Sequence, residues 1–328
     1  MKKLLKVVAY LLGIVVILAI GGFAFLQLGF PKVDPAPELT IEYTPDRIER
    51  GAYLANHVAV CMDCHSKRDF SLFSGPPAPG TLGAGGDRFD HSMGLPGVFY
   101  AKNITPHGIS DYTDGELFRL ITTGVTNDGR PMFPLMPYSY YGKMDPEDIY
   151  DIIAYVRSLP AIASEIPDSK ADFPVNLILR TMPVNATLSK KPDPSDQVAY
   201  GAYLVNASGC IECHTQVSPQ GVIIPELAFS GGRSFPFPDG SVVTSSNITQ
   251  DKETGIGNWT EEMFVGRFKQ YQDSGYVVPK INPGEFNSLM PWLMYSGMKE
   301  EDLKAIYAYL KTIKPMKNEV VKFTASAK

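Results

Sequence analysis

The sequence lacks a surplus of positive charge and several motifs that mark common enzyme classes. Its 30 Lys and Arg residues are outnumbered by 35 Asp and Glu residues, which gives a formal net charge of −5. We therefore expect no basic patch of the kind that binds a nucleic-acid backbone. The chain also contains no nucleophile elbow, P-loop or dinucleotide-binding fingerprint. Nucleic acid is thus excluded as an expected partner, and none of these three motifs supplies a catalytic site.

Cysteine and histidine are scarce, and most of them fall in two short segments. The chain has 4 Cys and 5 His, and the pattern C-x-x-C-H occurs at residues 61–65 and 210–214. This pattern attaches c-type haem, because two thiols bond to the porphyrin vinyl groups and the adjacent imidazole binds the iron. We predict two covalently bound haem c groups. The predicted thioethers are Cys61, Cys64, Cys210 and Cys213, and the predicted axial ligands are His65 and His214.

Three other interpretations of the paired cysteines are weaker. A four-Cys zinc site needs its two pairs about 15–20 residues apart, whereas the second pair begins 149 residues after the first. A thioredoxin-like motif would lie in a βαβ unit, and the flanking sequence indicates helix and loop. Structural disulfides occur in exported proteins, but they do not explain a His directly after each pair.

Charge is absent from residues 7–26, which follow Lys2, Lys3 and Lys6. At about 1.5 Å per residue, these 20 residues reach roughly 30 Å, the thickness of a bilayer core. We predict a transmembrane anchor over residues 1–28, followed by a Pro-rich spacer over residues 29–45. The lysines place the amino terminus in the cytoplasm and the rest of the chain on the periplasmic side of the cytoplasmic membrane. The alternative is a signal peptide cleaved near Ala24.

An internal repeat surrounds the two motifs and indicates a duplicated unit. The paired segments are 51–56 with 201–206, 103–105 with 247–249, and 135–138 with 289–292. We predict an all-α fold of two tandem cytochrome c domains with long loops, preceded by the membrane helix. The domains span residues 46–160 and 195–315, with an interdomain segment at 161–194 and a tail at 316–328. We expect the interdomain segment to pack across both domains and fix the distance between the haems.

Each unit is predicted to contain three helices. The first helices begin near Thr44-Pro45 and Asp193-Pro194, since a capping residue precedes Pro at the first helical position. The second begin at Thr113, in a capping box, and at Thr260. The third cover residues 145–159 and 298–312, where apolar residues recur at helical spacing. Long Gly- and Pro-rich loops at 75–101 and 218–246 either wrap a haem edge or form surface insertions.

The repeat also selects candidates for the second axial ligand of each iron. Met136 and Met290 occupy equivalent positions, and each precedes Pro and an aromatic residue. Met144 and Met298 also recur, but packing at the start of the third helix explains them. Met132 is a rival in the first copy. We predict Met136 and Met290 as metal ligands.

Iron with His and Met on opposite faces has no open position for a substrate, which favours electron transfer over catalysis. We expect a membrane-anchored dihaem cytochrome that is not itself an enzyme. It would relay electrons from a dehydrogenase or quinol-oxidising complex to an oxidase or soluble carrier. The alternative is a dihaem peroxidase with one open iron. A third interpretation, a redox or gas sensor, is weaker because no signalling segment follows the second unit.

The chain resembles the multi-haem cytochrome c subunits of membrane-bound bacterial alcohol, gluconate and nicotinate dehydrogenases. The resemblance covers about residues 47–315. It rests on Gly-Ala-Tyr-Leu before each haem motif, on segments 246–249 and 254–259, and on the Met-Pro-aromatic loop followed by residues 302–310. The chain differs from that family in having two haem motifs rather than three and in its N-terminal anchor.

The resemblance implies the cytochrome c fold, His/Met haems and electron relay outside the cytoplasmic membrane. It also implies a membrane-bound dehydrogenase or respiratory complex as partner. Two sets of pocket residues follow from it. Asn103, Tyr112, Asn247 and Trp259 would line the haem pockets, and Arg233 would bind a haem propionate.

Overall fold

The computed structural model describes residues 1–326, which are mostly helical. The chain begins with one long apolar helix, α1 (Lys2–Gly29), whose side chains pack against almost no other part of the protein. Its length and composition are those of a membrane-spanning helix, and a signal sequence shares them. The rest of the chain contains the two copies of the repeat and two small sheets.

The helices of the two copies follow the same order. Copy one contains α2 (Pro45–Tyr53), a π-helical turn (Leu54–Val58), α3 (Cys61–Cys64), α4 (Asp114–Thr123), α5 (Tyr138–Tyr141) and α6 (Pro146–Ser158). The segment between the copies contains α7 (Val175–Ile178) and a 3-10 turn (Leu179–Thr181). Copy two contains α8 (Gln197–Ala207), α9 (Cys210–His214), α10 (Glu261–Lys269), α11 (Trp292–Tyr295) and α12 (Glu300–Leu310).

Local capping signals place most of the helix starts. Thr113 accepts a hydrogen bond from the Glu116 amide, and the Glu116 carboxylate accepts one from the Thr113 amide, so the predicted capping box is confirmed. Thr44 and Thr260 also cap the helices predicted to follow them. The predicted start at Asp193 is wrong. Asp193 instead accepts from the Ser195 amide within a turn, and α8 begins three residues later behind Asp196.

In each copy the first helix crosses the last helix at a glycine. A Cβ atom on Gly51 of α2 would lie 1.8 Å from the Asp151 carbonyl oxygen of α6. A Cβ atom on Gly201 of α8 would lie 1.9 Å from the Ala305 carbonyl oxygen of α12. Only a residue without a side chain permits such close backbone approach, so these glycines set the packing distance in both copies.

We expect Gly51→Ala to lower the free energy of unfolding by about 1–3 kcal/mol, because α2 and α6 must move apart to admit the methyl group. Denaturant titration followed by circular dichroism measures the change. Gly266→Ala in α10 is the matched control, since its Cβ would meet no atom within 4 Å. That variant should be neutral or slightly stabilising. Equal stability of the Gly51 and Gly266 variants would contradict the crossing geometry.

Copy one has one residue more than copy two between Gly-Ala-Tyr-Leu and the first motif cysteine. The structure absorbs this residue in the π-helical turn Leu54–Val58, which holds one extra residue within a helix. His57 lies in this turn and contacts copy two. Its Nδ1 is 2.8 Å from the Met294 carbonyl oxygen. His57 is therefore half-buried at the contact between the copies.

The long loops contain two small antiparallel sheets, so the fold is not purely α-helical. Sheet one joins β1 (Arg88–Phe89), β2 (Gly97–Tyr100) and β3 (Lys170–Ala171), with Gly97 opposite Ala171. Sheet two joins β4 (Ser234–Pro236), β5 (Val242–Thr244) and β6 (Phe323–Thr324), with Val242 opposite Thr324. The interdomain segment thus adds a strand to copy one, and the tail adds one to copy two.

The segments on either side of copy one also pack against it. Within the predicted spacer, Ile41 is buried and its amide donates to the Asp114 carboxylate at 3.1 Å. In the interdomain segment, the Lys191 ammonium donates to Asp148 at 2.8 Å, and the Thr187 amide donates to the Gly142 carbonyl at 2.8 Å. Both of these hydrogen bonds join the interdomain segment to copy one. The segment was expected to pack against both copies.

The two copies meet through reciprocal contacts between equivalent residues. Tyr53 of copy one donates a hydrogen bond to Asp302 of copy two, and Tyr203 of copy two donates one to Asp148 of copy one. Both carboxylates are buried. Such an exchange, in which residue i contacts j and j contacts i, is typical of a two-fold interface. The tandem copies therefore form one compact pair.

Candidate haem sites

Each C-x-x-C-H motif lies on its own short helical turn after a left-handed residue. Val60, with φ 45°, precedes α3, and Gly209, with φ 61°, precedes α9. The sequence predicted one helix running into the motif, but this residue interrupts it in both copies. Glycine adopts the conformation freely, whereas a β-branched residue is strained there by about 1–2 kcal/mol. Such strain is typical of functional sites.

None of the four cysteines forms a disulfide, and one cysteine of each motif is exposed to solvent. Cys64 and Cys213 are exposed, and Cys61 and Cys210 are half-buried. The surrounding protein nevertheless excludes enough water to raise the pKa of Cys61 and Cys64 to about 12. Desolvation by burial likewise raises the pKa of Cys210 to about 12 and the pKa of Cys213. The two thiols of each motif thus lie at the protein surface beside enough protein to disfavour the thiolate form.

Both motif histidines are held in the same way by a backbone carbonyl. His65 Nδ1 lies 2.7 Å from the Lys102 carbonyl oxygen, and His214 Nδ1 lies 2.7 Å from the Ser246 carbonyl oxygen. A carbonyl can only accept, so Nδ1 carries the proton and Nε2 presents its lone pair. Desolvation by burial lowers the pKa of both imidazoles and favours this neutral form.

These features fit a c-type haem. A pair of unbonded thiols three residues apart can form the two thioethers, and a neutral imidazole with a free Nε2 can bind the iron. The bond from Nδ1 to a carbonyl is the outer-shell contact that orients ligating histidines and raises their basicity. Residues 61–65 and 210–214 therefore each contain the donor set that one face of a c-type haem would require.

Asn103 follows the carbonyl that holds His65. Its Oδ1 accepts from the amide and hydroxyl of Thr105 at 2.9 and 2.7 Å. Its Nδ2 donates to the Ile162 carbonyl at 2.7 Å and to the Ser164 hydroxyl at 2.9 Å. All four hydrogen-bonding positions of the amide are thus occupied by protein, and the side chain fixes the backbone beside the ligand.

Asn247 has the same role in copy two. Its Oδ1 accepts from the amide and hydroxyl of Thr249 at 2.9 and 2.8 Å. Its Nδ2 donates to the Thr254 hydroxyl at 3.0 Å and the Met316 carbonyl at 2.7 Å. The resemblance implied a place in the haem pockets for both asparagines. The geometry supports a positioning role, because each directly follows the carbonyl that orients the histidine.

The recurring methionines fall into two environments. Met144 and Met298 are completely or almost completely buried in the core. Met136 and Met290 are half-buried and pack against the core from its edge. Met132, the rival in copy one, is also half-buried, and its amide donates to the Gly124 carbonyl at 2.8 Å.

The loops that carry Met136 and Met290 share one backbone conformation. The amide two residues after each methionine donates to the methionine carbonyl at 2.8 Å, and Pro137 or Pro291 lies between them. Their φ and ψ angles are −80° and 51° for Pro137, and −79° and 65° for Pro291. This is an inverse γ-turn, which Pro favours through its fixed φ. Met136 and Met290 stay the predicted sixth ligands.

An arginine pairs with the acidic residue inside each motif. Arg68 bonds to Asp63 at 3.0 Å and also to Asp87. In copy two, Arg233 bonds to the carboxylate of Glu212 at 3.3 Å and to its carbonyl. Arg233, which the resemblance implies as a propionate partner, contacts the motif itself, and its role toward a propionate stays a prediction. The sequence analysis missed Arg68, although an acid at the same motif position in both copies was a usable signal.

The remaining predicted pocket residues lie just before the second helix of each copy. Tyr112 and Trp259 are half-buried against the core. Their carbonyls accept hydrogen bonds from Arg157 and Tyr307 of the last helices. These bonds hold the turn that carries each aromatic residue against the last helix of its copy.

The second candidate site also receives contacts from copy one, which the sequence analysis did not predict. Ser74, in the loop after the first motif, donates to the Met290 carbonyl at 2.6 Å and accepts from the Trp292 amide at 3.0 Å. Tyr140, beyond the Met136 turn, donates to Glu212 of the second motif at 2.6 Å. Two loops of copy one therefore border the second site.

Comparison with known proteins places the chain beside cytochrome subunits. It is 28% identical to the cytochrome c subunit of a quinone-type alcohol dehydrogenase from Gluconacetobacter polyoxogenes, over 83% of this chain and 58% of that protein. It is 28% identical to the gluconate 2-dehydrogenase cytochrome c subunit of Pantoea cypripedii, over 81% of this chain and 59% of that protein. No family model matches the chain.

A third relative is shorter. The chain is 28% identical to a diheme cytochrome c-type protein of Cereibacter sphaeroides, over 77% of this chain and 81% of that protein. The chain thus spans a little over half the length of the two dehydrogenase subunits and most of the length of the diheme protein. The predicted resemblance to dehydrogenase cytochrome subunits is confirmed by these similarities.

Proposed function

We propose that the chain is a membrane-anchored dihaem c-type cytochrome that relays electrons between respiratory partners. The observation that carries this proposal is the equivalent setting of His65 and His214. Each donates from Nδ1 to a carbonyl 2.7 Å away, which directs its lone pair to Nε2, and each directly follows the second cysteine of its motif. The similarity to cytochrome c subunits and to a diheme cytochrome supports both the cofactor and electron transfer.

Each bound haem supplies a one-electron iron couple. The chain's own residues would hold the haem through the two motif cysteines, orient the imidazole through a fixed carbonyl, and offer Met136 or Met290 as a second iron ligand. With imidazole and methionine both bound, no position on the iron would be left for a substrate. Electron transfer is therefore the chemistry that these residues support.

The interface between the copies favours passage of electrons from one haem to the other. Tyr140 of copy one contacts the second motif, and Ser74 of copy one holds the Met290 loop. Residues of copy one thus help to build the site of copy two, and we propose that electrons pass between the two haems through this interface. The two copies would thus act as one electron relay with two haems.

The external partner follows from the relatives. Two of them are named as cytochrome subunits of an alcohol dehydrogenase and a gluconate dehydrogenase. We propose a membrane-bound dehydrogenase or respiratory complex as donor, and an oxidase or soluble carrier as acceptor. Purification of native membranes in mild detergent, followed by identification of the co-purifying protein, tests this assignment.

We further propose that α1 is retained as a single-pass anchor, with the haem copies on the periplasmic side of the cytoplasmic membrane. Lys2, Lys3 and Lys6 precede the apolar run and favour a cytoplasmic amino terminus. Covalent haem attachment outside the cytoplasm agrees with this orientation. Amino-terminal sequencing of the membrane-bound protein distinguishes retention from cleavage near Ala24.

We expect two haems per chain in a pyridine haemochrome assay. The double variant Cys61→Ala with Cys64→Ala should keep one haem, and Cys210→Ala with Cys213→Ala should also keep one, because each motif binds its own porphyrin. Zero or one haem in the unmodified protein would end the dihaem proposal.

Ser74→Ala should loosen the Met290 loop, because it removes two hydrogen bonds, each contributing about 0.5–1.5 kcal/mol. In the oxidised protein, imidazole should then displace the sulfur ligand of one haem at roughly ten-fold lower concentration, the equivalent of about 1.4 kcal/mol. The sulfur-to-iron charge-transfer absorption measures this displacement.

Ser71→Ala is the matched control for this experiment. Ser71 lies in the same loop, but its hydroxyl bonds only to the nearby Asp69 carboxylate at 2.6 Å. We expect wild-type imidazole binding in that variant. Identical titrations of the Ser74 variant and the wild type would show that copy one does not support the second haem ligand.

A further inference from the structure

Arg180 ties the interdomain segment to the end of α1. Its Nε donates to the Leu26 carbonyl at 3.2 Å, and its NH2 group donates to the carbonyls of Gln27, at 3.1 Å, and Phe30. The last carbonyls of a helix have no partner within the helix, and a cation at this end also complements the helix dipole. One side chain thus joins the apolar helix to the globular part of the chain.

The same segment is fixed to copy one on its other side. Strand β3 pairs with β2, and the following Asp172 amide donates to the Pro96 carbonyl at 2.9 Å. His91 Nε2 lies 2.7 Å from the Asp172 carboxylate. Beyond Arg180, the Asn185 side chain accepts from the Asp34 amide at 2.8 Å. The intervening residues are therefore held in place between copy one and the end of α1.

Between these attachment points the segment exposes large apolar side chains. Phe173 is 78% exposed, Ile178 is 48% exposed and Val184 is 57% exposed. Single exposed apolar residues are common on protein surfaces. Here three such residues occur within twelve positions, in a segment that is bonded to the end of a candidate membrane span. We call residues 173–184 the platform.

We propose that the platform rests on the outer surface of the lipid bilayer, with its apolar side chains among the headgroups and upper acyl chains. The inference depends on the proposed membrane span of α1. Residues 7–26 reach roughly 30 Å as a helix, the full hydrocarbon thickness. The Leu26 carbonyl that Arg180 holds then lies at the outer boundary of that layer, which sets the depth of the platform.

The chemistry of the platform suits this boundary. Interfacial segments place apolar side chains inward and cationic groups at the headgroups. Arg180 supplies a cation at this level, and Lys32 adds a second, with its ammonium 5.4 Å from the Phe30 ring. Strand β3 joins the platform to copy one. Binding of the platform to the bilayer would therefore fix the orientation of the two haem sites relative to the membrane, whereas a flexible linker to α1 would let it vary.

Site-directed spin labelling of the full haem-loaded chain in phosphatidylcholine–phosphatidylglycerol nanodiscs tests the platform. All four native thiols are consumed by haem, so an introduced cysteine is the only one that reacts with the nitroxide. The variants are Phe173→Cys in the platform, Val277→Cys on copy two, and Leu12→Cys in α1. Val277 is the matched control because its side chain is 82% exposed and lies outside the platform.

Collision of each label with lipid-soluble oxygen and with a water-soluble nickel chelate reports its depth. We expect the oxygen-to-nickel ratio at Phe173→Cys to exceed that at Val277→Cys several-fold and to approach that at Leu12→Cys. Adding Arg180→Gln should move the label at position 173 toward water and leave the label at position 12 unchanged, since the tie to α1 is broken.

Two different results would contradict the proposal, and they distinguish failure of the platform from failure of the membrane span. In the first, the label at position 12 reports lipid while the oxygen-to-nickel ratio at position 173 equals that at position 277. In that case α1 spans the bilayer but the platform is exposed to water. If the label at position 12 also reports water, the proposed span itself fails and the platform fails with it. A lipid signal at both positions 12 and 173 supports the proposal.

Discussion

Replacing Met290 with His is expected to lower the midpoint potential of one haem by about 100 mV or more, since axial ligands set haem potentials over a range of about 0.8 V. Thioether ligation favours the reduced iron relative to imidazole ligation. Both haems should stay attached, because the thioethers are untouched. Spectroelectrochemical titration measures the two potentials, and Met136→His should shift the other haem.

Met298→Leu is the control for this experiment. Met298 recurs between the copies just as Met290 does, but it is buried in the core. A volume-conserving change there should leave both potentials near their wild-type values and reduce stability by less than about 1.5 kcal/mol. If neither histidine variant moves a potential, the ligand assignment is wrong. In copy one, Met132→His then distinguishes the rival ligand.

The sequence predicted those parts of the sites that depend on neighbouring residues. The two C-x-x-C-H motifs, the capping box at Thr113 and the recurrence of Met136 and Met290 are all visible in short segments. The equivalent γ-turns at Pro137 and Pro291 agree with the repeat that selected the two methionines. Local spacing and backbone restriction are sufficient for such features.

The parts that the sequence did not predict depend on residues far apart in the chain. Ser74 and Met290 are separated by 216 residues, and Tyr53 and Asp302 by 249. Neither pair has a local pattern, because its members meet only after both copies have folded and docked. The two small sheets were not predicted from the sequence for a related reason. Strands β3 and β6 have only 2 residues each, too few for an alternating pattern to be visible.

Duplication explains how the second haem site is organised. Each copy alone provides a helix pair, two thiols and one histidine. The interface adds two residues of copy one to the second site, Ser74 behind the Met290 loop and Tyr140 beside the second motif. Loss of the interface should therefore affect stability and haem electronics together, so Asp148, at the centre of the reciprocal contacts, is the most informative residue to change.

Asp148→Asn is expected to lower the free energy of unfolding by about 3 kcal/mol at pH 7, the lower end for breaking a buried ion pair. Asp148 is completely buried and binds the guanidinium of Arg50 at 3.2 Å, the Lys191 ammonium at 2.8 Å and the Tyr203 hydroxyl at 2.7 Å. Its loss leaves two cations facing each other. Because both are partly exposed, water reduces the effect. Denaturant titration measures the change.

Asp302→Asn is the matched control. Asp302 is buried at the equivalent position and accepts from Tyr53. Within residues 1–326 no Arg or Lys forms an ion pair with it. An amide oxygen can still accept from Tyr53, so we expect a smaller loss of stability. Equal losses in the two variants would show that the hydrogen bond across the interface, rather than the charge on Asp148, determines stability.

The effect of Asp148→Asn should also depend on pH. Burial alone would raise the pKa of Asp148, but Arg50 and Lys191 outweigh it, and the pKa of the folded protein is lowered. A depressed pKa contributes stability above the unfolded value of about 3.9, and this contribution is lost as pH falls through the folded pKa. The stability difference between wild type and variant should therefore be largest at neutral pH and shrink below about pH 4. A constant difference across this window would assign the effect to shape rather than charge.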